Sequence, residues 1–361
     1  MLKIDDLRII RFEMTRLDRG WRTASYASST VEGFVVELVA DGLIGIGATA
    51  AHPSSISAAE INAQLAGPIR YVYVGADALC GNEIRRALTT TSTHPRARIA
   101  ADLALYDLVA KFANLPCYAL WGGAVRPELK VVRMVGIKPA AELVAAIRSL
   151  RDEGYRHFKI KIGTGVAEDL ERIRAVRESF GADVWLAVDG NSAYMPTEAI
   201  ELSQALHAYQ VALIEQPVHY KDIKGLAQLT AASPIPVMAD QCVKDAKSAL
   251  AVCRAKAAHV VSIKATSLGS IDQCWRVYEI CRAFGIRVHL GGSVTSALTD
   301  MAQAHLAATL PDIDEECEVG EFMAVRGDPI TGAVIRNGRI QLSHEPGWGM
   351  ELDPALVKKM A

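Results

Sequence analysis

The chain has 361 residues, half of them hydrophobic and 22% charged, with a formal net charge of −2. That composition belongs to a globular protein with a sizeable core, and its near-neutral balance excludes nucleic acid as the main partner, because phosphate binding needs a basic face. No apolar run is long enough to span a bilayer, the opening Met1-Leu2-Lys3-Ile4-Asp5-Asp6 is acidic and strand-like rather than leader-like, and seven cysteines lack CxxC spacing; the expectation is a cytoplasmic protein with no membrane partner and unbridged thiols.

Residues 7–14 read as a strand, followed by a polar segment, 15–30, that holds Asp18, Arg19, Trp21, Arg22 and Tyr26. Two further strands, 33–39 and 43–49, are joined by Asp41-Gly42, a strong hairpin signal. A second loop carries His52-Pro53-Ser54-Ser55. From 57 to 112 the pattern is mostly helical, most clearly over 96–112, where Ile99, Leu103, Tyr106 and Val109 share a face. Pro116 and Gly122-Gly123 end this region, so residues 1–125 read as a small α+β domain.

Beyond Pro127 the pattern changes to short apolar strands alternating with amphipathic helices. Strands are expected at 130–136, 158–163, 185–191, 212–218, 236–242, 259–266, 287–293 and 317–323, with helices starting near Ala140, Ala167, Pro196, Asp222, Asp245, Gly269 and Val294. Eight such repeats, roughly 24–30 residues apart, predict an α/β fold of the (β/α)8 TIM-barrel type over 126–330. An open doubly wound sheet is the rival, but no Gly-rich dinucleotide fingerprint follows any strand. The remaining segment, 331–361, with strand-like 339–342, is expected to return to the first domain.

The second barrel strand reads His157-Phe158-Lys159-Ile160-Lys161-Ile162-Gly163. Alternation sends Lys159 and Lys161 to one face, inward in a barrel. Two ammonium groups so close repel, which predicts a depressed pKa for at least one and a usable general base. Chemistry in such barrels sits at the C-terminal strand ends. Three successive strands end there in an acid, Asp189 in Val-Asp-Gly-Asn, Glu215 in Ile-Glu-Gln-Pro and Asp240 in Ala-Asp-Gln, and the next carries Lys264. A single acid after a strand is commonly a helix cap; three at matched positions, followed by a lysine, are better explained as ligands of a hard divalent cation, Mg²⁺ first and Mn²⁺ as a substitute. A carboxylate substrate between Lys161 and Lys264 would then lose its α-proton to one lysine and regain one from the other, the metal stabilising the enediolate. A Schiff-base role for Lys264 leaves the three acids without a purpose.

These residues resemble the muconate-lactonising-enzyme subgroup of the enolase superfamily, and the resemblance extends over nearly the whole chain. Lys159-Ile160-Lys161 is similar to the subgroup's KxK motif, with Lys161 in the place of the base and Lys159 of its helper. Asp189, Glu215 and Asp240 are similar to its metal ligands, and Lys264 to its second catalytic lysine. In the first domain, Ala101-Asp102-Leu103-Ala104-Leu105-Tyr106-Asp107 through Lys111, then Pro116 and Gly122-Gly123, is similar to a stretch found across the family. The resemblance implies an enolase-like modified barrel, an N-terminal α+β capping domain whose loops near 15–30 and 50–57 close over the mouth, a small-molecule carboxylate substrate and a homo-oligomer.

The subgroup runs amino-acid-derivative racemisation, dipeptide epimerisation, dehydration and cycloisomerisation on one scaffold, and fold and base pair do not choose among them. Gln241 and Thr295 stand where Glu is frequent, and Glu318-Val319-Gly320 keeps one acid of the Asp-x-Asp that grips an ammonium in dipeptide epimerases. The resulting expectation is a Mg-dependent racemase or epimerase of an amino-acid derivative, with a dehydratase or cycloisomerase as the alternative. Trp21, Tyr26, His52, Thr295 and Glu318 are substrate-binding candidates, the aromatic rings for cation–π contact with a substrate ammonium and Glu318 either for a cationic substrate or as a structural partner. His289 is expected to be a packed strand residue.

Overall fold

The computed structural model describes residues 1–313 and 316–356. The first sheet is antiparallel and built from β1 (Asp6–Arg16), β2 (Thr30–Ala40) and β3 (Leu43–Ala50). The β2–β3 hairpin turns through Asp41 at φ 49° and Gly42 at φ 74°, the left-handed pair that a type I′ turn demands. A two-residue strand, Val325–Arg326, arrives from beyond the barrel and pairs with the end of β1, opposite Thr15 and Arg16.

Helix α1 (Pro95–Phe112) packs on this sheet. Its start is set by His94, whose side chain accepts the Arg96 N–H, and by Pro95 in the first turn. The contact is close: a Cβ at Gly47 of β3 would lie 2.0 Å from the Ala100 carbonyl oxygen. Asp107 fastens three pieces of chain. Its carboxylate accepts the N–H of Ile46 on β3 and of Trp348 in the C-terminal segment, both at 2.8 Å, and Lys111 Nζ lies 2.6 Å away. Trp348 is fully buried and donates Nε1–H to the Leu103 carbonyl at 3.1 Å.

The second unit alternates strand and helix: β4 (Val132–Val135), α2 (Ala140–Asp152), β5 (His157–Lys161), α3 (Val166–Phe180), β6 (Trp185–Asp189), α4 (Pro196–Ala208), β7 (Leu213–Glu215), α5 (Ile223–Ala232), β8 (Val237–Ala239), α6 (Ala246–Arg254), β9 (Val260–Ile263), α7 (Ile271–Ala283), β10 (Arg287–Leu290) and α8 (Ala297–Thr309). The seven strands are parallel and neighbour one another in chain order, the barrel pattern that the apolar repeats predict. Their outward residues, such as Phe158 and Ile160, are fully buried in one large apolar core under the helices. Helix α8 is buried at every residue, which explains its lack of a polar face. No helix among the described residues is long and apolar enough to cross a membrane.

Two expected strands differ. The eighth, 317–323, is not a strand: only Cys317 and Glu318 join the barrel, through Val132 N–H to Cys317 O at 2.8 Å on one side and Glu318 N–H to Leu290 O at 2.9 Å on the other. The ring closes through these few bonds because Gly320 lies against Val131 too closely for a side chain and Asp300 takes the Phe322 N–H, turning the chain into a 3-10 helix, Glu321–Ala324. The expected first strand, 130–136, is split. Glu128–Lys130 pairs with Arg339–Gln341 in a separate sheet, and only Val132–Val135 enters the barrel. The expected strand at 339–342 therefore lies under the barrel, while Trp348, six residues on, meets the first sheet's helix.

Replacing Asp107 with Ala strands two backbone N–H groups and the Lys111 ammonium. The expected loss is about 3 kcal/mol, read as a lower urea midpoint at unchanged slope.

Candidate active site

Strand pairing lays the charged residues side by side. Lys161 is opposite Asp189, and Asp189 opposite Glu215. Glu215 is opposite Met238, so Asp240 follows just past the end of β8. Lys264 follows β9 directly. Strand β9 stands four places from β5 in a ring of eight, so Lys264 and Lys161 reach the same mouth from opposite walls.

The groups form one buried network. Lys161 Nζ is 2.5 Å from Asp189 Oδ2, and Lys159 Nζ is 2.5 Å from Glu215 Oε2 and 3.8 Å from Asp189 Oδ2. Lys159 also contacts Glu318, which in turn meets His289 Nε2 at 3.1 Å and accepts the Gly292 N–H at 2.7 Å. Lys264 Nζ is 2.8 Å from Asp240 Oδ1 and 3.5 Å from Glu215 Oε1. Two backbone devices hold this arrangement. The Gln216 side chain, on a residue at φ 33°, accepts the Asp240 N–H at 2.9 Å and donates to Val218 O at 3.0 Å, locking the β7 and β8 ends together. Gly291 leaves the path of Lys264 open, for a Cβ there would sit 2.5 Å from Lys264 Cε and 2.2 Å from Ser262 Oγ.

The pKa depression expected for at least one of Lys159 and Lys161 does not fall on Lys159. Burial opposes the charge on Lys159, but Glu215, Glu318 and Asp189 outweigh it and hold the ammonium well above the usual lysine range. At Lys264 burial is likewise outweighed, by Asp240 and Glu215. Lysine–lysine repulsion is real, but several acids sit at ion-pair range of each lysine, and attraction wins. Burial and the neighbouring Asp189 push Glu215 up to about 8. Glu215 Oε1 has no hydrogen-bond partner. A fully buried carboxylate oxygen that accepts no hydrogen bond, beside two further acids, is a set of donors that fits a hard divalent cation. With the ammonium groups seated on these acids, no three His, Cys, Asp or Glu side chains among the described residues stand close enough to form a ready cation cage.

Above the network opens a cavity of about 400 Å³. Of the expected site residues, Lys161, Lys264, Asp240, Trp21, Tyr26 and His52 line it. Lys159, Asp189 and Glu215 lie beneath its floor. Tyr26 packs between Trp21, ring centroids 5.5 Å apart, and His52, 4.7 Å apart. The loop bearing Trp21 and Tyr26 is tied to the barrel by Ile137 N–H to Arg22 O at 2.9 Å and by Lys138 to Asp18 at 2.7 Å. Three expectations meet a different environment. Thr295 is buried away from the cavity and donates to Ser293 O at 3.2 Å. Glu318 is fully buried and outside the cavity lining, and of its two expected roles its contacts with Lys159 and His289 fit that of a structural partner. The ring of Trp21 is already covered by the guanidinium of Arg16, 4.0 Å from its centroid, which removes that face from a substrate ammonium. Arg16, Arg96, Asn191, Tyr220 and Lys244 also line the cavity and escape a motif reading; a lone arginine at a strand end or in the first turn of a helix carries no pattern.

His52 sits in a field of like charge. Burial, then Arg96, Lys264, Lys161 and Arg16, lower its pKa to about 3, so the ring is neutral near pH 7.

A family model described as Mandelate racemase / muconate lactonizing enzyme, N-terminal domain, matches residues 9–122, and one described as Enolase C-terminal domain-like matches 142–356. The chain is 29% identical to a hydrophobic dipeptide epimerase of Enterococcus faecalis over 354 residues, 94% of this chain and 98% of that one. Among solved structures it resembles a muconate lactonizing enzyme from Pseudomonas fluorescens complexed with muconolactone, at TM-score 0.95 and 25% identity, over 99% of both chains. It also resembles a dipeptide epimerase from Enterococcus faecalis complexed with Mg and the dipeptide L-Leu-L-Tyr, at TM-score 0.89 and 27% identity, over 97% of this chain and 100% of that one.

Two outcomes follow from this geometry. Gly291→Ala should keep the fold by circular dichroism and displace Lys264, costing about 10²-fold in turnover. The imidazole nitrogens of His52 should show the same ¹⁵N shifts from about pH 5 to about pH 8, where an unperturbed histidine titrates.

Proposed function

Because the chain belongs to the mandelate racemase / muconate lactonizing enzyme family, a group of enolase-superfamily isomerases, we propose that it is a racemase or epimerase acting on the α-carbon of a carboxylate substrate, with Lys161 and Lys264 as its two bases. The observation that carries this reading is the placement of those two amines on opposite walls of one cavity. Two-base transfer needs that: one neutral amine takes the α-proton from its face, and the opposing ammonium gives a proton to the other. Run in reverse, the roles exchange, so either enantiomer is a substrate. Lys159, one pleat deeper, touches Glu215 and Glu318 and has the position of a helper that orients the substrate carboxylate and its electrostatic environment.

Asp189, Glu215 and Asp240 are the residues that would hold a divalent cation, Mg²⁺ in the first place with Mn²⁺ as substitute, and such a cation would supply stabilisation for the negative charge that develops on the substrate carboxylate. Glu215 Oε1, buried without a hydrogen-bond donor, supports that assignment. The likeness to a dipeptide epimerase supports an amino-acid derivative as substrate. The likeness to a muconate lactonizing enzyme supports a second reading, in which the same intermediate ends in elimination or ring closure and the product differs in mass or ultraviolet absorption.

In deuterium oxide with Mg²⁺, the α-proton of a racemised substrate should exchange, followed by NMR. Lys161→Ala and Lys264→Ala should each abolish exchange from one enantiomer, by about 10²–10⁴-fold, and spare the other. Loss of exchange from both enantiomers in either variant, or exchange that survives EDTA, counts against two-base chemistry at this site.

A further inference from the structure

The loop between β1 and β2 walls one side of the cavity, and the barrel offers it a seat made of two glycines. The loop is a small hairpin, in which Arg22 bridges Ala27 and the Thr23 N–H donates to Tyr26 O at 2.9 Å. Ala24 is therefore at its tip, between Thr23 and Ser25, which both line the cavity. A Cβ at Gly136, just past β4, would lie 3.1 Å from both the nitrogen and the carbonyl oxygen of Arg22. A Cβ at Gly163, just past Lys161, would lie 2.6 Å from Ala24 Cβ and 2.8 Å from Ala193 Cβ. Gly163 also stands at φ 122°, so space and conformation both call for glycine there.

Asp169, in the first turn of α3, holds the second of these steps. An acid in a first turn ordinarily complements the helix dipole from the surface. Asp169 is instead fully buried and reaches back to the chain before its helix. Its Oδ2 accepts the N–H of Gly163 at 2.8 Å and of Thr164 at 3.2 Å, and its Oδ1 accepts the Thr164 hydroxyl at 3.4 Å. The Arg172 guanidinium and the Tyr194 hydroxyl donate to it as well. Burial pushes its carboxyl up to about 6, and the backbone N–H groups oppose the shift, which leaves an ionised acceptor near pH 7. Tyr194 carries the tie onward. It lies on the loop that follows Asp189, its N–H donates to Pro217 O at 2.9 Å, and Asn191, between Asp189 and Tyr194, lines the cavity. One carboxylate thus fastens the chain after Lys161 to the chain after Asp189.

We infer that Asp169 is a positioning residue: by fixing Gly163 and Thr164 it shapes the seat on which the Ala24 tip docks, and so sets the place of the loop over Lys161. Glycine is the freest residue of a chain, and the bonds to Asp169 take that freedom away at the point where the tip needs a defined surface. Without them the tip loses its footing. The barrel ladder keeps its own, since it runs on past Lys161 through the Ile162 N–H to Asp189 O at 3.0 Å. This inference goes beyond the proposed reading and rests on it only for the role of Lys161.

Amide hydrogen exchange separates the seat from the barrel without turnover. The Ile137 N–H is bonded to Arg22 O of the loop, and the Ile162 N–H to Asp189 O of the barrel. Tyr194→Phe, which removes one donor to Asp169, and Asp169→Asn should each speed exchange at Ile137 by about fivefold to tenfold, the worth of one hydrogen bond in a local opening, and leave Ile162 unchanged. Gly163→Ala, which fills the seat with Asp169 in place, should do the same. Unchanged exchange at Ile137 in the folded variants overturns the inference, and so does equal acceleration at Ile162, which would make Asp169 a fastening of the barrel alone. Tyr194→Phe is the mildest of the three and decides the matter should the others fail to fold. For any N-acyl amino acid that the unaltered protein racemises, KM should rise more than kcat falls, because the loop walls the cavity. Absence of racemisation with every such probe counts against the proposed reading and leaves the exchange result standing. Racemisation with exchange at Ile137 unmoved by the variants does the reverse.

Discussion

Seven charged side chains share the dry end of this barrel, and the rest of the molecule is arranged around keeping them there. Lys159, Asp189, Glu215 and Glu318 have almost no contact with water. None could be ionised alone in such a place, since desolvation of a single buried charge exceeds what any one partner returns. They are tolerable only as an alternating set of ammonium and carboxylate groups at hydrogen-bond range. That constraint explains why the register of four neighbouring strands is so sharply defined: a slip of one residue would turn every member of the set into the apolar core. It also explains Gln216 and Gly291, which do no chemistry themselves but fix where two of the strand ends lie.

The mouth is built on another principle. Two of the cations that line it, Arg16 and Arg96, come from the first sheet and helix α1 rather than from barrel strands. Rigid elements deliver them: Arg16 from the end of β1, Arg96 from the capped start of α1. The loop between β1 and β2 brings Trp21 and Tyr26 over them and is pinned to the barrel at Ile137 and Lys138.

Much of the floor was legible from residues alone, because alternating lysines and acids at the ends of successive apolar strands constitute a pattern. The hairpin at Asp41-Gly42 and the long helix were legible for the same reason. The pKa expectation failed at Lys159 because it weighed one lysine against another before the acids had been placed in space. The eighth strand failed because its apolar run looks like its neighbours, while Gly320 and the reach of Asp300 turn the backbone aside. Arg16 and Arg96 were illegible: what brings them to one cavity is the packing of the first sheet and its helix on the barrel, a property of three dimensions.

The short pairing of Val325–Arg326 with Thr15 and Arg16 ties these two regions into one mechanical circuit. The same backbone that closes the barrel at Glu318 runs, within ten residues, onto the edge of the first sheet at the position of Arg16. A force that lifts the first sheet from the barrel is therefore felt at the ring's weakest seam, where closure depends on a few hydrogen bonds rather than a full ladder. Opening the mouth and loosening the barrel are, at this edge, a single elastic deformation.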